Sequence, residues 1–349
     1  MRVTVILAAL TCSILASAAQ DPPEKSEGPF SDNAQKSFRD GLNYVRTRSI
    51  AAAIDSFKKA DKQDGGRCLA CQKKVVKYAV ETGDWKAAES AAGEMVAEAQ
   101  DPKDVARAHY ELGAVLYQEG MNKHKEELFV RAHTEFTAAL AAFAKFPAAI
   151  FSDGQALARA RQDDAAKAQF EAYIKLKPED DPQRQRALRY ISNIELARAR
   201  MAPAFAATTL DGQRISLDDL AGKVVLLDFW ATWCRPCREA LPHLQKIAKK
   251  FEGQPLVVLS VSLDVDESKW KEFVEKNSMT WPQCRDGGFT GPIARQFGVT
   301  AIPHTFTIDA DGVLEDEHIG DASVEGKLKK LVARAQELQA ASKRTAQSQ

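Results

Sequence analysis

The tightest constraint on this chain is the run Val224-Val225-Leu226-Leu227-Asp228-Phe229-Trp230, apolar but for one carboxyl group, which leads into Trp233-Cys234-Arg235-Pro236-Cys237. A short apolar run bounded by Gly222-Lys223 and by a proline-bearing turn reads as a buried strand. Pro236 suits the first turn of a helix, and an amphipathic pattern continues to Phe251, so the cysteine turn is expected to open a helix. A buried strand that ends in two cysteines three apart at a helix start is an arrangement for moving electrons between thiols and disulfides.

From Met201-Ala202-Pro203 onward, short β-rich runs alternate with amphipathic helices. Ala204 to Thr209 and Arg214 to Leu217 flank Asp211-Gly212, a pair suited to a tight hairpin. Leu256 to Leu263 reads as a second buried strand, Asp266 to Asn277 as a helix, and Trp281 to Cys284 as a short strand ending in a semi-buried free thiol. A short helix near Pro292 to Phe297 precedes two strands, Thr305 to Ile308 and Val313 to Ile319, turning at Asp311-Gly312. A helix from Val324 to about Ala341 precedes a polar tail, 343–349, and Pro242 is expected to kink the helix after the cysteines.

The segment 34–200 is different: Ala, Lys, Glu, Gln and Arg with aromatics at helical spacing, so it reads as all helix. Gly41, Tyr44, Ala53, Phe57 and Ala60 share their spacing with Gly154, Leu157, Ala166, Phe170 and Tyr173. A third copy, with Gly113, Ala132, Phe136 and Ala139, carries about seven extra residues expected in its connecting turn, and a degenerate copy begins at Cys68. These residues resemble the tetratricopeptide repeat, whose unit of about 34 residues pairs two helices with small residues where they cross. The resemblance implies a stacked array with a concave face for a peptide or partner protein; an irregular bundle of the same Ala-rich pattern is the alternative. Asp181 to Arg200 is expected to cap the array, with Leu188, Ile191 and Ile194 on its apolar side.

Arg2 followed by an apolar run that closes on Ala16-Ser17-Ala18-Ala19 is the layout of a secretory signal peptide over 1–19, ahead of a flexible leader over 20–33. The protein is therefore expected to be exported, to the periplasm, or tethered to the membrane where the signal is retained. The chain balances 48 basic against 48 acidic side chains, which gives no attraction for nucleic acid. Beyond the signal, five cysteines are too few for a disulfide-stapled fold. Cys68-Leu69-Ala70-Cys71 reads either as a local disulfide fixing a turn or as a second redox centre. Haem attachment would want histidine where Gln72 stands, and zinc would want two more ligands at finger spacing, so neither a metal nor another cofactor is expected.

Leu227 to Cys237, Leu241-Pro242 and Val299-Thr300-Ala301-Ile302-Pro303-His304-Thr305-Phe306 resemble the exported TlpA/ResA-type thiol-disulfide oxidoreductases over 203–342. The resemblance implies a thioredoxin α/β fold with an added helix, a cis Ile302-Pro303 peptide facing the cysteines, an Ile302 backbone that pairs with substrate, and a membrane electron donor of the DsbD type. Independently of it, Cys234 at a helix N-terminus beside Arg235 is favoured as the attacking thiolate, Cys237 one turn on as the resolving one, with Trp233 and Pro236 shaping the turn. Ala240 stands where the subfamily usually has glutamate, and Asp228 where thioredoxin has a buried aspartate. Asp228 is therefore expected to be the proton acceptor for Cys237, unless it merely bonds the backbone at a strand end. The function expected is exchange of electrons with disulfides or dithiols of protein substrates. A repeat scaffold with a vestigial redox domain, and a thiol peroxidase, are the alternatives; Leu227 and Ala231 occupy the positions where the peroxidase site has proline and threonine.

Overall fold

The computed structural model describes residues 28–320 and 324–347, so the expected signal peptide and most of the leader lie outside the described residues. The chain divides into two compact units, one ending at Lys177 and the other beginning at Pro178.

Among the described residues the first unit has eight helices: α1 (Asp32–Arg46), α2 (Ile50–Gln63), α3 (Leu69–Thr82), α4 (Trp85–Glu98), α5 (Pro102–Lys123), α6 (Glu126–Ala142), α7 (Pro147–Arg159) and α8 (Asp163–Ile174), each packed on the next. The end of the leader is already anchored, because the amides of Phe30 and Ser31 donate to Asp64 at 2.7 and 2.9 Å and Ser31 caps α1. In three of the four helix pairs the crossing is the same contact. A β-carbon at Gly41, Gly113 or Gly154 would come within 2.6, 2.7 or 2.8 Å of the ring of Phe57, Phe136 or Phe170, all three fully buried. Only a residue without a side chain lets the facing helix place its ring there. The seven extra residues of the third copy are helix rather than turn. α5 and α6 have 22 and 17 residues against 13 and 12 in α7 and α8. Seven residues make about two helical turns, so both arms lengthen and keep the same faces together. Gly120 against Phe129 (2.9 Å) repeats the crossing within the extension.

In the second unit the strands are β1 (Ala206–Thr208), β2 (Arg214–Ser216), β3 (Val224–Trp230), β4 (Leu256–Ser262), β5 (Gln283–Arg285), β6 (His304–Ile308) and β7 (Leu314–Ile319). The helices are α9 (Pro182–Ser192), α10 (Arg235–Lys250), α11 (Glu267–Lys276), α12 (Pro292–Gln296) and α13 (Glu325–Gln347), so α13 runs on through most of the expected tail. The main sheet has the order β5-β4-β3-β6-β7, parallel among β5, β4 and β3 and antiparallel beyond. β1 and β2 form the expected hairpin, with Gly212 at φ 82°, and join the sheet edge through Thr209 opposite Cys284. β3 is central and buried throughout, and α10 runs unbroken through Pro242.

The helix expected to cap the array belongs instead to this second unit. On α9 the buried residues are Arg186, Ala187 and Tyr190, while Leu188 is exposed. The inward face is chosen by an ion pair. Arg186 Nε and Arg189 Nη1 both lie 2.8 Å from Asp218 Oδ1, and Arg186 Nη1 donates to the Ala202 carbonyl at 2.8 Å.

If the glycine crossings set the helix packing, Gly154→Ala should lower stability by about 1–3 kcal/mol through overpacking against Phe170. Gly93→Ala, where a β-carbon meets nothing within 4 Å, should raise it by up to about 1 kcal/mol. Urea unfolding of the two variants checks the contrast.

Candidate active site

β3 delivers the chain to a three-residue turn, Ala231 to Trp233, after which Cys234 becomes the N-cap of α10 with extended backbone (φ −80°, ψ 103°). The first amides of a helix have no acceptor within it. Here the amide of Cys237 donates to Cys234 Sγ at 3.2 Å. The two cysteines form a disulfide with Cα atoms 5.3 Å apart, and each is 5% exposed. Pro236 sits in the first turn, where its missing N–H costs nothing.

The loop before β6 closes over the same point. Cys234 Sγ lies 3.7 Å from the Ile302 carbonyl oxygen, and the Ile302–Pro303 peptide is cis. Trp233 is 59% exposed and meets Phe289 at 6.4 Å between ring centroids, an apolar surface beside the sulfur. Arg235 is exposed as well, and its guanidinium is engaged by Glu239 at 2.9 Å.

Asp228 is on the fifth residue of β3, not at a strand end, and it bonds a side chain rather than the backbone. Its Oδ2 accepts from Ser260 Oγ at 3.1 Å, and Ser260 Oγ accepts from Trp281 Nε1 at 2.9 Å. Burial pushes the Asp228 carboxyl up to about 7, against the pull of the Ser260 hydroxyl. Asp228 makes no hydrogen bond to either cysteine in this disulfide form.

Three groups went unread in the sequence. Ser260, like Ser262 two residues on, is a hydroxyl among apolar neighbours on β4, a polar break in an otherwise apolar strand. Asp264 takes the amide and hydroxyl of Thr232 at 2.9 and 2.6 Å and the Ser262 hydroxyl at 2.7 Å, so it pins the turn before Cys234. His304, directly after Pro303, is buried, stacks on Phe306 at 4.4 Å and bonds Glu317 at 3.1 Å. Cys284, opposite Val261 on the neighbouring strand, is fully rather than partly buried; burial first, then Asp211 and Asp286, push its thiol up to about 12.

Cys68 and Cys71 repeat the local geometry within the first unit. Cys68 is the N-cap of α3, its Sγ accepts the Cys71 amide at 3.2 Å, and the pair is a disulfide with Cα atoms 5.2 Å apart. Neither sulfur-bearing residue has any exposed surface. Among the described residues no cluster of three or more metal-ligating side chains occurs.

Residues 199–317 match the family model described as the AhpC/TSA family. Over 133 residues the chain is 35% identical to the thiol-disulfide oxidoreductase ResA of Bacillus thuringiensis, covering 37% of this chain and 76% of that relative. The chain belongs to the ResA family. The thioredoxin-like protein YneN of Bacillus subtilis is 35% identical over 130 residues, 36% of this chain and 74% of its own length. A solved thiol-disulfide oxidoreductase from Bacteroides fragilis is 28% identical, covering 38% of this chain and 98% of that chain, with a TM-score of 0.35. The second unit is thus the ResA-type part of the chain, a thiol-disulfide oxidoreductase of thioredoxin fold.

Asp228 makes stability of the ResA-type unit pH-dependent. With its carboxyl at about 7 folded and near 3.9 unfolded, the folded protein holds a proton that the unfolded chain releases across that interval. The resulting stability is full below pH ~4 and lost as pH rises to ~7, roughly 4 kcal/mol in all. Urea unfolding of the oxidised protein from pH 4 to 8 should therefore show Asp228→Asn gaining on wild type by up to that amount, then running parallel. A gap that does not change with pH would exclude a buried titrating Asp228.

Proposed function

We propose that this chain is an exported oxidoreductase that exchanges electrons with disulfides of protein substrates through Trp233-Cys234-Arg235-Pro236-Cys237, with the helical array recruiting the partner. The observation that carries the proposal is Cys234 at the N-cap of α10, its sulfur 3.2 Å from the Cys237 amide and 3.7 Å from the Ile302 carbonyl. A helix N-terminus whose amide donates to the sulfur favours thiolate at that position.

In the reducing direction, the Cys234 thiolate attacks one sulfur of the substrate disulfide. A Cys234–substrate bond forms, and the second substrate sulfur leaves as thiolate and is protonated. Cys237 then gives its proton to Asp228 and attacks Cys234 Sγ, so the Cys234–Cys237 bond forms as the substrate bond breaks. Two electrons pass to the substrate. A membrane dithiol donor of the DsbD type returns them, and at the opposite redox poise the same steps run backwards. An extended substrate segment would donate an amide to the Ile302 carbonyl and lie against Trp233, while Pro303 keeps metal ions from the cysteines. The paired-helix array is of tetratricopeptide type, and its concave face holds a peptide or partner. The sealed Cys68–Cys71 bridge is structural, and together with the signal-like 1–19 segment it suits an oxidising, periplasmic compartment.

Insulin reduction by dithiothreitol tests the function. Wild type should catalyse it, Cys234→Ser should lose catalysis, and Cys237→Ser should accumulate mixed disulfides that name the partner. Peroxide consumption should stay at background, since Leu227 and Ala231 replace the proline and threonine of a peroxidase site. Absence of both turnover and trapped partner would leave the chain a repeat scaffold.

A further inference from the structure

We propose that Ser260 and Trp281 are positioning residues for proton transfer at Cys237: the Trp281 indole orients the Ser260 hydroxyl, which holds the Asp228 carboxyl. This role rests on Asp228 being the acceptor proposed above.

The geometry fixes the direction of the chain of bonds. An indole nitrogen can only donate, so Trp281 Nε1 at 2.9 Å occupies a lone pair of Ser260 Oγ and turns the serine's single proton outward. Asp228 Oδ2, at 3.1 Å, receives it. All three residues are buried, with Ser260 wholly so. A hydroxyl on an apolar strand is costly unless bonded, and this one is bonded twice. Trp230 and Trp270 are buried in the same core without a partner for their indole N–H among the described residues, which sets Trp281 apart.

The backbone holds the arrangement as well. Register between β3 and β4 sets Asp228 opposite Ser260, and the Ser260 amide donates to the Pro282 carbonyl at 3.1 Å, fixing the segment that carries Trp281. Among the described residues no competing charge addresses the carboxyl. On β6 its neighbour is Thr305, and His304, one register position away, is bonded to Glu317. On β4 the facing group is Ser260 itself. On α10 the buried residue of the first turn is Cys237, while Arg235, Arg238 and Glu239 are exposed. Ser260 is therefore the handle on Asp228, and removing it withdraws a donor that favours the carboxylate.

Three measurements on the full chain test this: the Asp228 carboxyl carbon shift and the Trp281 indole N–H resonance against pH in the oxidised protein, and the pH profile of insulin reduction. In wild type the indole resonance should follow the Asp228 midpoint. In Ser260→Ala the indole should cease to titrate, the Asp228 midpoint should rise by about one pH unit, and the rising limb of the activity profile should move with it. Ser260→Thr should restore all three, and Trp281→Phe should move the activity profile the same way by less. If the Asp228 midpoint stays in place in Ser260→Ala while Asp228→Asn alters the profile, the relay is overturned and the acceptor role stands. If the midpoint moves and the profile does not follow, Asp228 is not the acceptor and both fall.

Discussion

The chemistry of the second unit depends on the register between β3 and β4. Val224 opposite Leu256 carries through to Asp228 opposite Ser260 and Trp230 opposite Ser262. The first of these polar positions gives the buried carboxyl its hydroxyl partner. The second places Ser262 to hold Asp264, which in turn holds Thr232 just before the cysteines. A slip of one residue would put every one of these side chains on the opposite face of the sheet. The apolar residues on both strands, packed on both sides, make that slip costly. Hydrophobic patterning thus does more than form a core: it aligns two polar networks that carry little patterning of their own.

Most of this was legible in the sequence at the level of elements and far less at the level of partners. The strands, the two Asp-Gly or Asp-Gly-like turns, the cysteine pair at a helix start and the proline of the facing loop all announce themselves through local chemistry. Asp228 was conspicuous for the same reason, a charge amid Val, Leu, Phe and Trp. What could not be read was Ser260 as its partner, because the two residues lie 32 positions apart and meet only once the strands pair. Asp264 was hidden in the same way: a carboxylate just past a strand reads as a solvated turn until its acceptor role at Thr232 is seen.

The helical segment shows the converse limit. Spacing of glycine and aromatic residues located the crossings of α1/α2, α5/α6 and α7/α8, since a ring packed on a bare backbone leaves a mark that periodicity can find. Membership of α9 left no such mark. Its pattern continues that of the array, and an arginine on a helix ordinarily reads as exposed. Arg186 is instead buried against Asp218, so the helix turns inward the face that hydropathy would turn outward. Where a buried ion pair decides orientation, apolar periodicity is a poor guide.

The two disulfides carry a consequence for how such motifs are judged. Cys68–Cys71 and Cys234–Cys237 share spacing, capping geometry and the amide that faces the leading sulfur. What separates them is exposure: Cys234 and Cys237 each keep 5% of their surface open with Trp233, Arg235 and Pro236 in solvent around them, while Cys68 and Cys71 keep none and the Leu69-Ala70 pair between them is half-buried. Exchange needs an attacking sulfur to arrive in line with the bond, so the distinction is one of trajectory rather than of bonding. One chain thereby holds the same local geometry in two settings that differ in exposure.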